Sequence, residues 1–150
     1  MNNNPFLSAS EPASSAPHPH RNPPHHILMV DDDSSIRKIS AQALADSGYR
    51  VDAAEDGSAA WEVLQTQEFN LLITDHLMPK VSGVELLQKL HAVRMALPVI
   101  MITGAVPHEE FARSPWLQPA ATLIKPYTIA ELLGMVREVL RVTDVAREYL

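Results

Sequence analysis

Four short apolar runs stand out along the chain, each stopping at a polar or charged residue. They are Ile27–Val30 before Asp31, Leu71–Thr74 before Asp75, Pro98–Ile102 before Thr103, and Ala121–Ile124 before Lys125. Ile27–Val30 is apolar at every position, and short all-apolar runs fit strands buried on both faces of a parallel sheet. Arg50–Ala54 is more polar and reads as an edge strand. Between the runs the apolar spacing becomes helical. Ile36, Ile39, Ala43 and Leu44 recur before a stop at Gly48, and Ala60, Val63 and Leu64 follow an Asp56-Gly57 turn, extending to about Gln67. Val84, Leu87 and Leu90 mark a third helix after the Met78-Pro79 break, with Gly83 in the loop or at the helix start. Pro107–Pro119 leaves room for only a short helix, with Phe111 and Trp116 as candidates to face the core. The last helix is the best signalled. Thr128 and Glu131 form a capping box, and Ile129, Leu132, Leu133, Val136, Val139 and Leu140 form one stripe. Five strand–helix alternations without an internal repeat predict an α/β fold, a five-stranded parallel sheet with helices on both faces.

The first 26 residues differ in kind. They hold six of the 12 prolines and four of the seven histidines, and no glycine. Too little apolar surface is available there to offset the entropy of ordering, so residues 1–26 read as a disordered tail. His18, His20, His25 and His26 lie in that tail without the fixed geometry a selective metal site needs. The domain is then expected at 27–141, with 142–150 a helical extension or a linker stub.

Charge and composition narrow the function. Twelve Lys and Arg against 18 Asp and Glu give a net charge of −6, which offers no electrostatic attraction to nucleic acid or an anionic membrane. The absence of cysteine excludes a disulfide scaffold, thiolate catalysis and cysteine-ligated zinc or iron–sulfur centres. No apolar run approaches the ~20 residues that span a bilayer, and no secretory signal is visible at the N-terminus. A cytoplasmic protein is expected.

The polar residues at the strand ends carry the chemistry. In an open parallel sheet, ligands bind outside the carboxyl ends of the strands. Asp31, Asp32, Asp75, Thr103 and Lys125 therefore converge on one crevice. Clustered carboxylates disfavour one another's ionisation. A hard cation such as Mg²⁺ relieves that conflict and suits a site completed by water and phosphoryl oxygens. A carboxylate can then act as nucleophile toward phosphorus, while Lys125 and Thr103 supply charge and a donor to the transferred group. The residues describe a Mg²⁺-dependent phosphoryl acceptor.

With these pieces assembled, the chain resembles the receiver domain of two-component response regulators. The resemblance rests on Val30-Asp31-Asp32, Asp75-His76-Leu77-Met78-Pro79, Ile102-Thr103-Gly104 and Lys125-Pro126, with Gly83 and the Gly48-Tyr49 turn. Spacings of 43, 28 and 22 residues separate Asp32, Asp75, Thr103 and Lys125. It implies strand order 2-1-3-4-5, the flavodoxin-like arrangement. It implies that Asp75 is the phospho-acceptor, and that Asp32, Asp75 and the Leu77 backbone carbonyl hold Mg²⁺, with Asp31 in support. Thr103 and Lys125 would grip the phosphoryl group. The implied donor is a sensor histidine kinase or a histidine phosphotransfer protein, and the implied output is a downstream protein target or a phosphorylation-dependent dimer. No basic recognition helix for nucleic acid is visible. The chain departs from the family in three ways. Thr122 replaces the aromatic expected three residues before the lysine, and the fourth helix is interrupted by prolines. Leu77 and Ala105 put no amide or carboxylate side chain near the acceptor, which implies slow self-dephosphorylation.

Two other readings compete. Asp31 and Asp33 have the D-x-D spacing of haloacid-dehalogenase-type phosphatases, although the folded part is short for that fold and Asp75 is left without a task. A receiver fold could also serve as a phosphorylation-independent interaction module, tested by partner binding of an Asp75→Asn variant. Asp33 or Ser34 is expected simply to cap the first helix. His76, beside the acceptor, is expected to lie near the site without a part in the chemistry, and Trp61 and Trp116 are expected to be packing residues.

Overall fold

Residues 23–149 are described by a computed structural model of the chain, so His18 and His20 lie outside the described residues. Strands β1 (His26–Val30), β2 (Arg50–Ala54), β3 (Leu71–Asp75), β4 (Val99–Thr103) and β5 (Ala121–Ile124) alternate with helices α1 (Ser34–Asp46), α2 (Gly57–Thr66), α3 (Gly83–Ala92), α4 (His108–Arg113) and α5 (Ile129–Glu148). All strand pairs are parallel and the order is β2-β1-β3-β4-β5, as the resemblance implied. Among the described residues no helix is long and apolar enough to cross a membrane.

The fully apolar runs make two cores because successive side chains point to opposite faces of the sheet. Leu28, Val30, Leu72 and Met101 pack on one side with Ala60, Leu64, Leu86 and Phe111. Ile27, Met29, Leu71, Ile73, Ile100 and Ile102 pack on the other with Leu44, Leu132, Val136 and Leu140. Burial of each such side chain stabilises by about 1.5–3 kcal/mol, so β1, β3 and β4 form a rigid centre. Local signals close the helices as expected. Asp33 Oδ1 accepts the Ser35 and Ile36 N–H groups at the start of α1, and Thr128 and Glu131 form the capping box of α5. Gly48 takes φ +99° after α1, the left-handed region glycine tolerates.

Several expectations are corrected. The first strand begins at His26, one residue before the expected boundary, and His26 is 8% exposed. Its Nε2 meets Asp52 Oδ2 at 2.9 Å, its Nδ1 meets the Glu68 carbonyl at 3.0 Å, and its N–H donates to Asn70 Oδ1. These contacts bind His26 into the fold, while His25 pairs with Asp144 of α5. Phe111 is buried, but Trp116 is 63% exposed, because the 3₁₀ turn Pro115–Leu117 sends Leu117 inward instead. Ile39 is exposed and Ser40 takes the inward position, its hydroxyl 3.1 Å from that of Tyr127. Residues beyond Leu140 continue α5 as helix to Glu148.

Candidate functional site

The carboxyl ends of β1, β3, β4 and β5 deliver four of the expected groups to one place. Asp31 follows β1, Asp75 ends β3, Thr103 ends β4 and Lys125 follows β5. Asp31, Asp32 and Asp75 bring ligand oxygens within 4.8 Å of one another. Lys125 Nζ lies 3.0 Å from Asp75 Oδ1. Asp31 is wholly buried. Its Oδ1 accepts the Asp33 N–H at 2.9 Å, while Oδ2 has no protein partner. Burial pushes the Asp31 carboxyl above the ordinary aspartate value, and neighbouring Asp75 and Asp32 push the same way. The Asp33 N–H and Lys125 only partly oppose them. For Lys125 burial pulls downward, but the hydrogen bond and charge of Asp75, with Asp31 behind it, hold the ammonium above its usual range.

A buried carboxylate that has one unpartnered oxygen and shares a cluster with two further carboxylates is costly unless a cation neutralises it. Hard oxygen donors at this spacing fit Mg²⁺. Asp32 is exposed, which leaves the cluster open on its solvent side. Asp33 lies outside that cluster of three and its carboxylate caps α1, a different task from the acid–base part the phosphatase reading gives it.

Comparison with known proteins places the chain in a family. Residues 27–137 match the response regulator receiver domain. The chain belongs to that family. Response regulator RppA of Synechocystis is 39% identical over 119 residues, which cover 77% of this chain and 50% of that protein. The receiver protein CpdR of Brucella abortus is 33% identical over 116 residues, covering 76% of this chain and 95% of CpdR. Among solved structures, a CheY-like receiver domain protein from Methanospirillum hungatei superposes with TM-score 0.76 at 31% identity, covering 82% of this chain and 98% of that one. The chain spans about half the length of several of its curated relatives, RppA included. As a receiver domain it is a signalling domain rather than a classical enzyme, and phosphoryl acceptance is the family's general function.

The remaining expected residues of this receiver take these places. Thr103 is buried, and its hydroxyl donates to the Ala105 carbonyl at 2.7 Å while accepting the Ala105 N–H at 3.2 Å. Leu77 lies in the loop after β3 with its side chain exposed. Thr122 sits on β5 in register with Met101. His76 is buried, with Nδ1 unpartnered, and its backbone joins the Ile102 carbonyl and the Gly83 N–H. Sequence reasoning missed two supports. The Arg37 guanidinium donates to the Asp31 carbonyl at 2.8 Å, and Lys80 Nζ lies 3.4 Å from Asp56 Oδ2. Asp56-Gly57 signalled only a turn, because the partner loop lies 24 residues away in sequence.

Proposed function

We propose that Asp75 accepts a phosphoryl group from a phosphohistidine on a sensor histidine kinase or a histidine phosphotransfer protein, and that the modified domain then engages a downstream protein target. One observation carries the reading: three carboxylates share a site with an ammonium 3.0 Å from Asp75, and one buried oxygen of Asp31 has no protein partner. Asp31, Asp32 and Asp75, with the Leu77 carbonyl, would hold Mg²⁺. When bound, the ion supplies charge neutralisation and Lewis acidity toward phosphoryl oxygens.

This chain's residues do the rest. An Asp75 carboxylate oxygen forms the new P–O bond as the P–N bond of the donor breaks, and the bonding pair leaves on the imidazole, which takes its proton from solvent. Lys125 offsets the charge carried on the transferred oxygens. Thr103 offers its hydroxyl once that hydroxyl gives up Ala105. The receiver TrrA of Thermotoga maritima was solved in complex with Mg²⁺ and BeF. It is 28% identical and superposes with TM-score 0.67, which supports the same ligands here.

The test is incubation with acetyl phosphate, with and without Mg²⁺, followed by intact mass beside Asp75→Asn. A Mg²⁺-dependent gain of one phosphoryl group, absent from the variant, is the expected result. A gain that persists in Asp75→Asn would overturn the assignment. Failure to label with acetyl phosphate, combined with no uptake of Mg²⁺ or beryllofluoride, would favour the phosphorylation-independent module.

A further inference from the structure

The segment His76–Ser82 leaves β3 immediately after Asp75 and carries Leu77. It is closed on its inner side by the Gly83 N–H donating to the His76 carbonyl at 2.8 Å. On its outer side it leans on the start of α2. Asp56 is the N-cap of α2, its Oδ1 accepting the Ala59 N–H at 2.8 Å, while its Oδ2 faces Lys80 Nζ at 3.4 Å. One residue on, Gly57 packs against Val81 so closely that a Cβ there would overlap the Val81 carbonyl oxygen. Lys80 itself is held at φ +72°, a conformation that side-chain-bearing residues rarely adopt. A single carboxylate thus caps a helix and tethers the loop that follows the acceptor.

We infer that Asp56 and Lys80 act as a clamp that fixes the His76–Ser82 loop in the shape that binds the metal, which makes them positioning residues for Mg²⁺ and, through it, for phosphorylation. The inference rests on the metal reading given above. Asp56 is nearly buried and its carboxyl is held below the ordinary aspartate value, first by the Ala59 N–H and then by Lys80. Lys80 is largely exposed, which makes the pair modest in strength and suited to biasing a loop rather than building the fold.

The sign of one substitution separates positioning from simple charge. By charge alone, removing the Lys80 ammonium makes the neighbourhood more negative and tightens binding of a dication. If the ammonium holds the loop, its removal weakens binding. The experiment is calorimetric titration of the full chain with MgCl₂ for wild type, Lys80→Met, Lys80→Arg, Asp56→Asn and the Lys80→Met/Asp56→Asn double variant, with thermal melts in EDTA alongside. Asn caps helices as well as Asp does, so Asp56→Asn keeps α2 while losing the pair.

The expected result is Mg²⁺ affinity about two- to fivefold weaker for Lys80→Met and for Asp56→Asn, in keeping with an exposed ion pair. The double variant should be no weaker than the weaker single one, and Lys80→Arg should stay near wild type. Unchanged or tighter binding in Lys80→Met overturns the clamp while leaving the metal reading intact. So does a double variant in which the two losses multiply. A wild-type chain that takes up no Mg²⁺ overturns the metal reading itself.

Discussion

Replacing Asp31 by Asn tests the electrostatics of the site without any donor or partner. Asn keeps the side-chain oxygen that accepts the Asp33 N–H, and it replaces the unpartnered, charge-bearing Oδ2 with an uncharged amide group. Two carboxylate charges at the outer 4.8 Å limit of the cluster repel by about 3.5 kcal/mol at an effective dielectric of about 20. Asp31 faces two such groups, but Asp32 is exposed to water and Lys125 offers attraction, so the net relief is about 1–3 kcal/mol. For a domain of this size that raises the melting midpoint by about 3–10 °C. The assay is thermal unfolding by circular dichroism in EDTA and then in Mg²⁺. In EDTA the variant should melt above wild type. In Mg²⁺ wild type should gain, by mass action on the folded state, while the variant gains less for want of a ligand. The pH dependence has a definite sign. The folded Asp31 carboxyl sits above its unfolded value, so its ionisation opposes folding at neutral pH. That cost is relieved as pH falls through the raised folded value, and the gap between variant and wild type should close on acidification. A variant that melts at or below wild type in EDTA would refute the reasoning.

Other expectations follow from single contacts. Gly83→Ala places a Cβ 2.8 Å from the Asp75 carbonyl oxygen and 2.9 Å from His76 Cα, so urea unfolding should show a loss of about 1–3 kcal/mol. Thr128→Ala removes the acceptor of the Glu131 N–H and should cost about 1 kcal/mol in the same assay, with Thr128→Ser near wild type. The Lys125 ammonium is held above its usual range, so its contribution is fully present below the unfolded lysine value and lost as pH rises through the folded one. Alkaline melts should therefore show wild type losing stability there that Lys125→Met never had.

The sheet was legible because its central strands are buried on both faces, so each reads as an unbroken apolar run without any knowledge of its neighbours. The site was legible for a related reason: in a parallel sheet every strand ends at the same edge, so the residue that stops each run is also one that shares a crevice. Capping was equally local, Asp33, Thr128 and Glu131 acting within three residues of themselves. Pairing over distance was not legible. His26 sits among tail-like neighbours, and only Asp52, Glu68 and Asn70, brought in by the fold, make it part of a strand. Lys80 looks like any surface lysine until Asp56 is placed beside it. Trp116 looked like core because it is large and apolar, yet the turn geometry set by Pro115 chose Leu117.

The same distinction bears on how a phosphoryl group on Asp75 would be reported elsewhere. The resemblance leads one to expect an aromatic where Thr122 stands, and a threonine side chain has no bulk to swing inward after Thr103. What does answer to Thr103 is its own loop: the hydroxyl both donates to the Ala105 carbonyl and accepts the Ala105 N–H. Turning that hydroxyl toward a phosphoryl oxygen must break both bonds together, which makes residues 103–105 a two-state element that the bound group biases. In ¹H–¹⁵N spectra with Mg²⁺ and beryllofluoride, the Ala105 amide should lose its acceptor and move upfield. Thr103→Val, which has no hydroxyl, should show Ala105 near that released position before anything is added. An Ala105 resonance that stays still in wild type while those around Asp75 move would show that the signal leaves the site by another route.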